Sequence, residues 1–163
     1  MRAVPRIDVA ALSDGNIEEG QRTDLALSRL HVLGLYDQQR VLFIDITTPE
    51  PQHDAGSLVA VETMRALQAL GFKVTFVPVD NFLWTKAYSA PLQAMGIETI
   101  YHPFYSRFEP FISARGAEYD LVVVHRFAAA ERVMGALRTH APQAKIAFMP
   151  ADLHFLREQR EAD

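Results

Sequence analysis

From Arg40 onward the apolar positions follow two alternating patterns. Val41-Leu42-Phe43-Ile44-Asp45-Ile46 is a nearly continuous apolar run, the mark of a strand covered on both faces. A polar loop from Thr47 to Ala55 follows. Over Ser57–Leu70 the spacing becomes helical: Val61, Met64, Leu67 and Leu70 form one stripe, Glu62, Arg65 and Gln68 face water, and Gly71 supplies the stop. Phe72–Val79 reads as a second strand. Lys86–Met95 reads as a shorter helix, to which Pro91 is an objection unless the helix begins near it, with Gly96 as its stop. Ile97–Tyr101 is a third strand. Ser106–Arg115 is a helix that Pro110 opens or interrupts, closed by Gly116. Tyr119–His125 is the strongest strand in the chain. Phe127–His140 is a helix with Ala130, Val133 and Leu137 inward, Lys145–Met149 a fifth strand, and Leu153–Glu161 a last helix.

Strands regularly separated by helices predict an α/β fold with a doubly wound parallel sheet of about five strands. Right-handed crossovers give the strand order 3-2-1-4-5 and a Rossmann-like three-layer sandwich. The topological switch point falls between the first and fourth strands, and ligands of such folds bind beside it at the carboxyl ends of the strands. Residues 1–39 differ in character. They carry turn-forming stretches and one short helix, capped by Thr23, with Ala26, Leu30 and Leu33 on one face and Gly34 as its stop. The expected organisation is an N-terminal arm or linker over 1–39, a Rossmann-like domain over 40–150, and a C-terminal helix or the start of an interdomain linker over 151–163.

Composition narrows the function classes. The chain has 163 residues, of which 49% are hydrophobic and 22% charged, enough apolar content for a real core. The net charge of -4 leaves no basic excess for phosphate backbones, so nucleic acid is not an expected partner. The absence of cysteine removes disulfides, thiolate metal sites and cysteine nucleophiles. No membrane-length apolar segment occurs, and Met1-Arg2-Ala3-Val4-Pro5-Arg6 lacks a signal-peptide core, so the expected setting is cytoplasmic.

The switch-point rule selects the candidate residues. The loop after the first strand ends in Asp54-Ala55-Gly56-Ser57 at a helix N-terminus. Gly56 admits close backbone approach, and the amides of Gly56, Ser57 and Leu58 suit a phosphate or carboxylate. Asp54 or Ser57 equally suits a helix cap, and capping and ligand contact are not exclusive. His125-Arg126 ends the fourth strand. Arg126 fits bidentate anion binding, and His125 fits hydrogen-bond donation, proton transfer or a local backbone contact. Asp152 and His154 follow the fifth strand, where an Asp–His pair orients an imidazole or caps the final helix. Asp45, buried near the end of the first strand, needs hydrogen-bond donors. Asp80-Asn81 ends the second strand, where nucleotide folds often read a ribose. Trp84 and Tyr88 nearby suit stacking on a ligand or a place in the core. Asp45, His53, Asp54, His125 and His154 show no metal-ligand spacing, so no metal is expected.

Familiar motifs are missing. No G-x-G-x-x-G follows the first strand, no P-loop sequence occurs and there is no G-x-S-x-G elbow. The third strand ends in Tyr101-His102-Pro103 where a response-regulator receiver has an aspartate, and no lysine follows the fifth strand.

Three stretches carry a family resemblance. They are Arg40–Asp45 with Pro49-Glu50-Pro51-Gln52-His53-Asp54-Ala55-Gly56-Ser57; Gly71–Phe76 with Asp80-Asn81; and Tyr119–Val124 with Asp152-Leu153-His154-Phe155-Leu156-Arg157-Glu158. Together they resemble the N-terminal domain of bacterial glycosyltransferases of GT-B architecture, in particular a group attached to large proteins of surface-polysaccharide synthesis. The resemblance runs from Arg40 to Arg160. The second stretch alone is generic.

In that family two Rossmann-like domains face each other, the N-terminal one taking the acceptor and the C-terminal one the nucleotide sugar. The resemblance implies that Asp54, Gly56 and Ser57 close over donor phosphates and acceptor. It places His125 or Arg126 near the transferred sugar and brings Asp152 and His154 to the cleft; Asp45 and Asn81 are further substrate-binding candidates from their places at the ends of the first and second strands. His125, Asp152 and His154 are the catalytic candidates. Many relatives show Ser-Arg where this chain has His-Arg, so Arg126 transfers more safely than His125. The implied partners are a nucleoside-diphosphate sugar and a glycan acceptor, reached through a second C-terminal domain. No cofactor is implied, and peripheral membrane association is an expectation for a full-length protein only. The 163 residues lack that second domain, and the charged run Arg157–Glu161 reads as the start of an interdomain element. On this reading the chain is one wall of a cleft and turns over little alone. The alternative is a non-catalytic Rossmann-like module that binds a carbohydrate or nucleotide, or docks a protein.

Overall fold

The computed structural model of the protein describes residues 38–150. The expectations for the N-terminal arm, for Asp152 and His154 and for the last helix lie outside the described residues. In chain order the elements are β1 (Arg40–Asp45), α1 (Ala55–Ala69), β2 (Lys73–Pro78), α2 (Ser89–Ala94), β3 (Glu98–Thr99), α3 (Phe108–Arg115), a 3-10 turn (Gly116–Glu118), β4 (Leu121–His125), α4 (Phe127–His140) and β5 (Lys145–Met149). All strand pairs are parallel, and the sheet order is β3-β2-β1-β4-β5. This is the α/β, Rossmann-like architecture that the alternating pattern predicts.

Helices cover both faces, which explains the unbroken apolar run of β1. Leu42 and Ile44 join Val77, Val122 and Val124 against α3 and α4, through Phe108, Phe111, Ile112, Ala129, Val133 and Leu137. Val41 and Phe43 join Val74, Phe76 and Val123 against α1 and α2, through Ala60, Met64 and Leu92. Val41 to Ile44 are all fully buried, and each such side chain contributes about 2 kcal/mol by burial.

Some boundaries move for identifiable reasons. The second helix begins only at Ser89, because Pro91 fits an opening turn and not a helix interior. β3 shrinks to two residues, yet a charged network at the amino end of the sheet pins it. Arg115 clamps Glu98 at 2.7 and 3.0 Å and also holds Glu118 at 2.9 Å, while Thr75 donates to Glu98 at 2.8 Å. Leu70, expected in the buried stripe, is exposed at the end of α1. Gly71 and Gly96 adopt positive φ and end their helices as expected. Gly116 also closes its helix, as the C-cap of α3, but at φ -56°, and its missing side chain admits the end of α4. A Cβ there would stand 2.2 Å from the His140 carbonyl oxygen.

Candidate functional site

The carboxyl ends of β1 and β4 are adjacent, and the sequence order sends α1 and α4 to opposite faces there. Asp45 and His125 close those two strands, and both are buried, at 1% and 0% exposure. Asp45 Oδ2 lies 3.0 Å from His125 Nδ1, and Asp45 Oδ1 accepts from the Ile46 amide at 2.7 Å. With an aspartate as its partner, Nδ1 carries a proton. In the neutral ring Nε2 is then the basic atom. Nε2 is buried and has no hydrogen-bond partner among the described residues.

Arg126 follows at φ 72° and ψ 142°, the one non-glycine residue with positive φ among those described. Such backbone costs about 1–3 kcal/mol and is held only where surrounding contacts enforce it. Its amide donates to the Met149 carbonyl at 3.0 Å, which ties the turn to β5. Its side chain runs back over the switch point. Nη2 donates to Asp54 Oδ1 at 2.8 Å and Nε lies 3.5 Å from Asp45 Oδ1. Gly56 makes this path available, because a Cβ there would stand 2.8 Å from Nη2.

Asp54 is the cap of α1. Its carboxylate accepts from the Ser57 amide at 2.8 Å and from the Ser57 hydroxyl. Partial burial pushes the Asp54 carboxyl up, but the Ser57 hydroxyl and amide, the Arg126 charge and the Gly56 amide outweigh it and hold it below its ordinary range. Of the amides that the sequence offers to an outside anion, those of Gly56 and Ser57 face the chain's own Asp54 carboxylate, and that of Leu58 donates to the Asp54 carbonyl at 3.3 Å. An entering phosphate or carboxylate would have to take the place of Asp54 opposite Arg126.

The structure thus brings Asp45, Asp54, Gly56 and Ser57, from the end of β1 and the loop after it, together with His125 and Arg126 about 70 to 80 residues further on. Asn81 stands apart from them: its Oδ1 accepts from the Leu83 amide at 3.0 Å in a local turn. Asp152 and His154 lie outside the described residues. Tyr88 packs edge-on against His53, and His53 pairs with Glu50 at 3.3 Å, so these side chains hold the first loop. Trp84 is half-exposed and donates to Gln93 at 3.1 Å. Beside this cluster, a cavity of about 270 Å³ opens at the end of β2, lined by Asp80, Ser106, Arg107, Glu109 and Arg132. Sequence reading missed Arg132, which reaches Asp80 at 3.3 Å from the outer half of α4. Its position on the polar side of a helix offered no signal.

Among the described residues no helix is long and apolar enough to cross a membrane, and no cluster of side chains has the make-up of a metal site. Comparison with known proteins finds no matching family model, no matching curated protein and no matching solved structure.

Proposed function

We propose that the chain is the acceptor-side domain of a two-domain, GT-B-type glycosyltransferase working in the cytoplasm. It would assist transfer of a sugar from a nucleoside-diphosphate sugar to a glycan or other surface acceptor. The observation that carries this reading is Arg126. It holds a backbone conformation that only glycine adopts readily, and it projects a guanidinium over the switch point beside an oriented Asp45–His125 pair.

The chemistry follows from that placement. An acceptor hydroxyl oxygen attacks the anomeric carbon, the bond from that carbon to the diphosphate oxygen breaks, and the hydroxyl proton leaves. His125 Nε2, with Nδ1 engaged by Asp45, is sealed from solvent here, so it takes the proton only once acceptor binding opens the strand ends; otherwise the proton passes to water. Arg126 and the N-terminus of α1 are suited to the negative charge that develops on the leaving diphosphate, once Asp54 yields its place. A second α/β domain would supply the remaining donor contacts. The decisive experiment is a nucleotide-sugar screen on the longest natural protein, reading released nucleoside diphosphate. Release with one donor, lost in Arg126→Ala, supports the reading. No release with any donor overturns it.

A second reading is a binding module without chemistry. The burial of both Asp45 and His125, and the neutralisation of Arg126 by Asp54, favour it. Calorimetric binding of a nucleoside diphosphate or oligosaccharide without turnover would select this reading over the first.

A further inference from the structure

We propose that the cavity along the outer edge of β3 is a binding site for a short neutral saccharide. β3 is an edge strand, and α2 and α3 pack beside it on opposite faces of the sheet, through Leu92 on one face and Phe108, Phe111 and Ile112 on the other. The cavity there measures about 360 Å³, within the range of roughly 300–1,000 Å³ usual for small-ligand sites. Gln93 lines it from α2, Glu98 from β3, Tyr101, Phe104 and Tyr105 from the loop that follows, and Arg115 from the end of α3. β3 and β4 are three strand spacings apart, about 14 Å, so this cavity is separate from the cluster at the switch point.

The lining selects the ligand class. Of the lining residues only Glu98 and Arg115 carry charge, and both are committed within the chain. Arg115 holds Glu98 at 2.7 Å and Glu118 at 2.9 Å, and Glu118 also takes Arg40 at 2.9 Å. A phosphate, carboxylate or amine would therefore enter without a counter-charge. What remains is an aromatic face with fixed polar groups beside it. Phe104 is 72% exposed and stands edge-to-face with Tyr101, at 5.5 Å and 82°. The face of an aromatic ring is negative and attracts the slightly positive C–H face of a pyranose. Gln93 is oriented by Trp84, whose indole N–H donates to Oε1 at 3.1 Å, and its amide nitrogen is left to donate to hydroxyls. Glu98 is fixed by Arg115 and by the Thr75 hydroxyl at 2.8 Å. Among the described residues its Oε1 accepts from Arg115 only, which leaves a lone pair for a hydroxyl. Tyr101 adds a hydroxyl that can donate or accept. Such a lining suits a ring that is apolar on its faces and polar around its rim. An extended peptide fits less well, because the two residues of β3 are too short an edge for strand addition. The proposal does not rest on either reading of the switch-point site.

Proton–nitrogen correlation spectra of the chain, titrated with maltose, cellobiose or lactose to roughly 50 mM, test this. With at least one of these sugars the amides of Thr99, Tyr101 and Phe104 should shift saturably, with a dissociation constant of roughly 1–10 mM. Phe104→Ala and Gln93→Ala should each raise that constant at least about fivefold, and Phe104→Trp should retain binding. Both positions are exposed, so the remaining resonances should stay those of the folded wild type. Leu70→Ser, at the exposed end of α1, is the control and should leave binding unchanged. Absence of shifts with all three sugars overturns the proposal. So does binding that Phe104→Ala or Gln93→Ala leaves intact, or that Leu70→Ser weakens equally. Adenosine bound there more tightly than any of the sugars would make the cavity a stacking site for a base and also overturn it. Shifts confined to Asp54, Gly56, Ser57 and Arg126 would move the saccharide to the switch point. They would overturn this proposal and leave the glycosyltransferase reading standing.

Discussion

Asp45 Oδ2 and His125 Nδ1 lie 3.0 Å apart across neighbouring strands, with both side chains sealed from solvent. A buried polar pair of this kind is stable only as a pair, because either partner alone is left desolvated and unsatisfied. Asp45→Ala should therefore lower unfolding stability by about 1–3 kcal/mol, read from urea denaturation. Replacing both residues together, Asp45→Leu with His125→Phe, should restore part of that loss. If the double change costs the sum of the two single ones, the pair is not coupled.

Gly56 and Arg126 occupy one another's space. A Cβ at Gly56 meets Nη2 at 2.8 Å and Asp54 Oδ1 at 3.0 Å, and Nη2 is the far end of a flexible side chain. Gly56→Ala should consequently change stability by less than about 1 kcal/mol while shifting the guanidinium off Asp54. Titration calorimetry with a nucleoside diphosphate should show affinity falling about tenfold if Arg126 is the anion contact. Unchanged affinity would remove Arg126 from that role.

Gly116 faces backbone instead. The His140 carbonyl oxygen stands 2.2 Å and its carbon 2.8 Å from a Cβ built there, and neither can swing aside. Gly116→Ala should separate α3 from the end of α4 and cost about 1–3 kcal/mol. The contrast with Gly56→Ala, measured in the same denaturation series, is the check. Equal losses at the two sites would contradict the distinction between side-chain and backbone neighbours.

The sequence pattern was most informative where one periodicity dominated. Phe127–His140 and Lys145–Met149 have the bounds that their spacing indicates, and the unbroken run Val41–Ile44 correctly implied helices on both faces. The site was legible as a neighbourhood, since the switch-point rule selects Asp45, Asp54, Gly56, Ser57, His125 and Arg126 together. What the sequence could not supply was how these groups satisfy one another. Nothing in His125-Arg126 announces a positive φ, and whether Asp54 spends its carboxylate on Ser57 or leaves the amides to a ligand depends on a contact 72 residues away. Glu98, at the start of a two-residue strand, gave no hint of its clamp by Arg115, because long-range ion pairs leave no local spacing.

Tyr119 offers a test at alkaline pH. It is buried, and burial pushes its phenol up to about 12 against the pull of the Arg115 charge. A folded-state pKa above the unfolded value of about 10 gives stability that is fully present below that value and is lost as the pH rises through 12. Urea midpoints should therefore drop between about pH 10 and 12 in the wild type, and less steeply in Tyr119→Phe. Parallel profiles for the two proteins would show that ionisation of this phenol is not the source.

Asp54 gives the opposite sign at the acid end. Partial burial works against its ionisation, but donation from Ser57, the Arg126 charge and the Gly56 amide win, so its folded-state pKa is depressed. The stability it contributes is present above the unfolded carboxylate pKa and is lost as the pH falls through the folded one. The side chain is 47% exposed, so solvent screens the ion pair and most of its worth lies in capping α1. Asp54→Ala should destabilise the protein by about 1 kcal/mol at neutral pH, with the gap to wild type closing below about pH 4. Asp54→Asn separates the two contributions: an amide still accepts from the Ser57 amide but carries no charge for Arg126. It should retain most of the neutral-pH stability and show no acid-dependent gap of its own. A full loss in Asp54→Asn would instead put the weight on the pair with Arg126, and the cap would then be secondary.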